Sequence, residues 1–189
     1  MLRAFLHAQI AKMERTWNYD ARYLHEIIQA SPGSAFRFGM VTGMVNRRDA
    51  PADALVAAGV VGTLAEDCGP CTQICVDMAT AQGVRPAVVR AILAGDERAM
   101  GDDAALGYRF ARAALERRLE EADAVRDEVV KQWGQKGLVA LALAVTTARI
   151  YPTVKYAMGH GKTCSRVTVA GETAPHHAPV VITMGELAA

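Results

Sequence analysis

The sequence has no excess of either charge. Lysine and arginine number 21 and aspartate and glutamate 20 among 189 residues. That balance gives no electrostatic case for nucleic acid or for an acidic membrane surface as a partner. Long apolar runs are also missing. The most apolar stretch, Gly137 to Val145, is soon followed by polar residues and Arg149. It falls well short of the roughly 20 residues a membrane-spanning helix needs. The start, Met1-Leu2-Arg3-Ala4-Phe5-Leu6-His7, has neither a sustained apolar segment nor a small-residue cleavage site, so a cytoplasmic protein is expected. Cysteines number only 4. Cys68, Cys71, Cys75 and Cys164 are too few and too clustered for a secreted disulfide framework. There is no internal repeat at a solenoid period and no low-complexity tract.

What is present favours helix. Apolar residues make up 51% of the chain, enough for one sizeable core. Alanine, the strongest helix former, is abundant. Leu2, Phe5, Leu6, Ile10, Met13 and Trp17 recur at helical spacing and predict a packed amphipathic helix. Tyr23 to Ile28 predicts a second, stopped by Ser31-Pro32-Gly33, and Phe36 to Val45 a third. After Pro51 a nearly all-apolar segment through Leu64 predicts a buried helix. Further helices are expected over Cys71 to Gln82, Pro86 to Leu93, Asp103 to Leu119, Ala124 to Trp133 and Leu138 to Met158. Gly83, Gly95 and Gly134 serve as stops, and Pro152 as a possible bend. Only the tail differs. Arg166 to Val169 and Val180 to Thr183 are strand-like around the loop Gly171 to Pro179. The expected organisation is a helical extension over 1–50 packed on the core, a helical core over 51–160, and an extended or hairpin tail over 161–189.

The chemistry concentrates in Glu66-Asp67-Cys68-Gly69-Pro70-Cys71, followed by Cys75. Cysteines three apart on a helix lie about 60° apart around its axis, on one face. Cys75 falls between them in projection, one turn on. A helix N-terminus offers unpaired N–H groups and the positive end of the macrodipole. Both favour a thiolate, lowering its pKa from about 8.5 toward neutrality. Such a thiolate attacks peroxides and disulfides, and its neighbour then closes a disulfide. Buried, inert cysteines are the plainer alternative, above all for the isolated Cys164. A metal site is another. Zinc usually takes four protein ligands, so Cys164 and the His176-His177 pair would have to fold back onto the cluster. The Cys-x2-Cys-x3-Cys spacing does not match the common iron–sulfur patterns. No cofactor and no metal are expected.

Cys-Gly-Pro-Cys is also the thioredoxin tetrapeptide. There it follows a buried strand, usually with Trp before the first cysteine. Here Asp67 takes that place after an Ala/Gly-rich helical run, so the chemistry is shared and the fold is not. From Pro51 to Met158 the chain instead resembles the carboxymuconolactone decarboxylase / alkylhydroperoxidase D superfamily. The features are a buried helix before Cys68-Gly69-Pro70-Cys71, its continuation through Cys75-Val76-Asp77-Met78-Ala79, the Pro86 helix, the Ala-rich Asp103 to Ala111 helix, and Trp133-Gly134 leading into Leu138 to Ala148. The resemblance implies an all-α bundle and a homo-oligomer (dimer, trimer or hexamer). For the peroxidase branch it also implies Cys71 as the cysteine that attacks peroxide and Cys68 as its resolving partner. The family's histidine, four residues after the second cysteine, is Cys75 here. Its glutamate, twelve before the first, is Val56. Glu66 or Asp67 could supply the missing carboxylate, and Cys75 could act as a third thiol. Tyr151 and His160 are further candidates from the last helix.

The expected function is a thiol-dependent peroxidase or thiol–disulfide oxidoreductase. It would take a peroxide or disulfide substrate and a protein or small-thiol reductant. The alternatives are a metal- or redox-sensing protein and a decarboxylase-like oligomer without peroxidase activity.

Overall fold

The computed structural model describes residues 1–161 and 167–176. Among them the chain is all-α, closed by a short hairpin. The helices are α1 (Leu2–Trp17), α2 (Arg22–Ala30), α3 (Pro32–Gly39) with a 3₁₀ turn (Met40–Gly43), α4 (Ala52–Leu64), α5 (Gly69–Ala81), α6 (Pro86–Ala94), α7 (Glu97–Met100), α8 (Asp102–Leu115) and α9 (Leu119–Ala157). The strands are β1 (Thr168–Val169) and β2 (Glu172–Thr173).

The helix with the most continuous apolar sequence is the most deeply buried. Along α4, Ala54, Leu55, Ala57, Ala58, Val60 and Val61 are all withdrawn from solvent. This helix lies against both α8 and α9. Small residues let those backbones approach. A Cβ on Gly107 of α8 would overlap the backbone of Ala54. One on Gly62 would come within 2.8 Å of the Val145 carbonyl oxygen of α9. Ile92, Leu93, Met100 and Leu141 complete the core, fully buried. Each such side chain contributes roughly 1.5–3 kcal/mol relative to exposure.

Several boundaries differ from expectation for local reasons. Ser31-Pro32-Gly33, expected only to stop a helix, also starts one. Ser31 leaves the helical region (φ −150°, ψ 88°), and its Oγ accepts the Ser34 N–H at 3.4 Å. Pro32 then takes the first helical position, where a missing N–H is harmless. The helix expected to reach Leu119 ends at Leu115, because Arg117 turns left-handed (φ 54°). Glu116 is buried there between Arg112 (2.7 Å) and Arg118 (2.8 Å). The next helix therefore begins at Leu119 rather than Ala124. Gly134 (φ 69°, ψ −177°) breaks α9 into two arms where a glycine stop was expected. Pro152 lies inside the second arm.

By length and composition α9 is apolar enough to cross a membrane, which the shorter Gly137 to Val145 run did not suggest. A core helix passes the same test, and α9 packs against α4 and α8. The first helix packs by one face: Ile10, Met13 and Trp17 lie partly buried against Tyr19, Ala21, Tyr23 and Leu24, while Leu2 and Phe5 stand exposed.

The tail forms a tight hairpin, with Thr168 opposite Thr173 and Val169 opposite Glu172. Ala170 (φ 52°) and Gly171 (φ 80°) both turn left-handed between the strands, the geometry of a primed two-residue turn. Gln73 of α5 docks it: its Oε1 accepts the Thr168 N–H at 2.7 Å and its Nε2 donates to the Thr168 carbonyl at 3.0 Å. Val180 to Thr183 lies outside the described residues.

Candidate redox site

Three residues separate α4 from the cysteine pair. Asp67 turns the chain with a left-handed backbone (φ 48°). Its carbonyl accepts the Tyr156 hydroxyl of α9 at 2.9 Å. Cys68 is the N-cap of α5, and Pro70 occupies the first turn without forfeiting a needed hydrogen bond. The Cys68 carbonyl accepts both the Thr72 N–H (2.9 Å) and the Thr72 hydroxyl (3.1 Å), which closes that first turn. This places the Cys68 and Cys71 sulfurs at bonding distance as a disulfide, with Cα atoms 5.3 Å apart. Both residues are buried, at 5% and 3% exposure.

A tyrosine cluster covers the pair. The turn joining α1 to α2 carries Tyr19, whose hydroxyl lies 3.7 Å from Cys71 Sγ. A disulfide sulfur has no hydrogen, so Tyr19 donates. Tyr23 stands near enough to Tyr19 for the two phenols to influence each other's ionisation. Lys155 of α9 is buried beside them, its Nζ 4.9 Å from the Tyr19 ring centroid and 5.9 Å from that of Tyr23. At these distances the ammonium is attracted by both ring faces. Burial pushes the phenols of Tyr19 and Tyr23 up, so both stay protonated donors at neutral pH. Burial pushes the Lys155 ammonium down, opposed by the nearby Asp20 charge. Tyr19, Ala21, Tyr23 and Leu24 pack as one cluster whose partly buried neighbours include Ile74 of α5 and Val154 of α9.

The other candidates are placed as follows. Cys75 is a free thiol, partly buried against the main core. Burial pushes its thiol up to about 11, partly offset by the nearby Thr63 hydroxyl of α4. It therefore stays a thiol at neutral pH. Glu66 pairs with Arg149 of α9 at 2.5 Å and accepts the Thr153 hydroxyl at 3.3 Å. Among the described residues no hydrogen bond joins its carboxylate to Cys68 or Cys71. Val56 packs against the core. Tyr151 packs its ring on Phe38, centroids 4.8 Å apart, and lies within electrostatic reach of Tyr19. His160 pairs with Glu26 at 3.0 Å, its ring 6.3 Å from Tyr23. Both sit at the rim of the tyrosine cluster. Cys164 and His177 lie outside the described residues. Among the described residues no three His, Cys, Asp or Glu side chains are grouped to hold a metal ion.

Sequence reasoning missed Tyr19 and Lys155, and read Tyr23 only as a helix marker. One faint signal existed: Tyr19 and Tyr23 stand four apart across a helix start, the spacing that stacks side chains on one face. Nothing in the sequence linked them to a motif some 50 residues away. No family model, no curated protein and no solved structure matches this chain.

Proposed function

We propose that this protein is a thiol-dependent oxidoreductase of the peroxidase type, cycling Cys68 and Cys71 between dithiol and disulfide. The observation that carries the reading is the pair itself, two sulfurs at bonding distance in the first turn of α5. Cys71 is the nucleophile. It has a hydroxyl donor at 3.7 Å and lies in the first turn, where the helix dipole favours a thiolate. Cys68 is the resolving thiol. The exposures of 5% and 3% favour a small hydroperoxide over the disulfide of a folded protein as oxidant. The helical setting agrees with the resemblance to alkylhydroperoxidase D. The protein would work in the cytoplasm, be re-reduced by a protein or small thiol, and assemble as a homo-oligomer. The exposed Leu2 and Phe5 of α1 favour the last point.

The test is thiol counting. Reduced protein treated with one equivalent of hydrogen peroxide or an alkyl hydroperoxide should lose two thiols. Cys68→Ser should stop at a sulfenic acid that a dimedone-type reagent traps. Cys71→Ser should leave the peroxide unconsumed. Consumption by Cys71→Ser at the parent rate would refute the assignment.

A further inference from the structure

We propose that Tyr19, backed by Tyr23 and Lys155, is the hydrogen-bond and proton donor that serves Cys71. This rests on the dithiol reading above and adds the missing acid. The positions where a histidine and a glutamate were expected hold a protonated thiol, Cys75, and an apolar side chain, Val56. Glu66 is taken up by Arg149 and Thr153. The Tyr19 hydroxyl lies 3.7 Å from Cys71 Sγ and can give it a hydrogen.

The local field suits that task. The charged and titratable groups around Tyr19 are Asp20 from the α1–α2 turn, Tyr23 from α2, Cys75 from α5, and Tyr151 and Lys155 from α9, with the exposed Arg22–Asp20 pair beyond Lys155. Lys155 is the buried cation, at 7% exposure against the faces of both tyrosine rings. A thiolate at Cys71 would accept the Tyr19 O–H, and Tyr23 and Lys155 would stabilise negative charge that passes to the phenol. Charge-assisted hydrogen bonds of this kind are roughly twice as strong as neutral ones.

The steps balance. The Cys71 thiol first releases its proton to solvent. The thiolate attacks the terminal oxygen of a hydroperoxide: the S–O bond forms, the O–O bond breaks, and sulfur is oxidised. The departing alkoxide takes the phenolic proton of Tyr19 and leaves as an alcohol. The Tyr19 phenolate then takes the proton of the Cys68 thiol. The Cys68 thiolate attacks the sulfenic sulfur of Cys71, the S–S bond forms, and hydroxide leaves. That hydroxide takes up the proton first released to solvent and becomes water.

The experiment measures the rate of Cys71 alkylation against pH in reduced protein, alongside peroxide consumption. In Tyr19→Phe the ring stays and the hydroxyl goes. The alkylation profile should move to higher pH, and peroxide-driven thiol loss should slow about 100-fold, the usual size of general-acid help. Lys155→Met, which touches neither sulfur, should move the profile the same way and serves if Tyr19→Phe does not fold. Arg109→Gln, which loosens only an ion pair with Glu128, should leave the profile in place. Unchanged profiles in Tyr19→Phe, or in Lys155→Met as its substitute, would overturn the proposal. Parent protein that consumes no peroxide would overturn the peroxidase reading alone, because the alkylation profile still reports on Tyr19.

Discussion

Glu14 holds Tyr19 in place from the last turn of α1. Its backbone carbonyl accepts the Tyr19 N–H at 3.2 Å, while its carboxylate accepts the Ala21 N–H at 3.1 Å from the other side of the same turn. The second carboxylate oxygen pairs with His25 of α2 at 3.2 Å. Asn18 between them is left-handed (φ 46°) and ends α1. One glutamate thus sets the turn that brings a hydroxyl to Cys71.

Glu14→Ala should therefore cost about 1 kcal/mol, the low side for a hydrogen bond to a charged group, since the site is partly exposed. A lower urea midpoint with unchanged m-value would show it. Alkylation of Cys71 should shift toward the Tyr19→Phe profile. An unchanged midpoint together with an unchanged profile would mean the turn holds without the carboxylate.

Gly107→Ala should be among the most damaging single-methyl changes in the chain. The new Cβ would meet the Ala54 backbone, which cannot rotate aside as a side chain can. Overpacking of this kind costs about 3 kcal/mol. Thermal unfolding should report a clear drop in Tm, where Gly59→Ala, whose Cβ has open space, should not.

Cys75 should give the protein a pH-dependent stability on the alkaline side. Its thiol titrates at about 11 when folded, against an ordinary value of 9.0. Between those values the unfolded chain has lost the proton and the folded chain keeps it. The unfolded state thus binds fewer protons, and stability falls as pH rises through that window. Below pH 9 the contribution is flat. Cys75→Ala should remove this component of the decline in denaturant titrations at pH 8 to 11. An identical slope in both proteins would show that Cys75 does not titrate there.

Much of the fold was legible because its causes are local. The 3.6-residue period marked most helices, the continuous apolar sequence of α4 marked the most deeply buried one, and Gly95 and Gly134 marked breaks. Other boundaries escaped because non-glycine residues carry the left-handed turns. Arg117 and Asp67 give no sign in the sequence that their backbones reverse. The four-residue helix α7 is too short to show a period.

The same division runs through the candidate site. That two cysteines share the start of a helix follows from local features, because a proline, a glycine and a three-residue spacing suffice for it. What stands over them comes from helix packing. Tyr19 reaches Cys71 across 52 residues of chain, and Lys155 arrives from the far end of α9. Such contacts depend on how helices pack, and packing is decided by complementary surfaces rather than by the period of any one segment. Glu66 shows the converse. It stands next to the motif in sequence, yet the fold commits its carboxylate to Arg149.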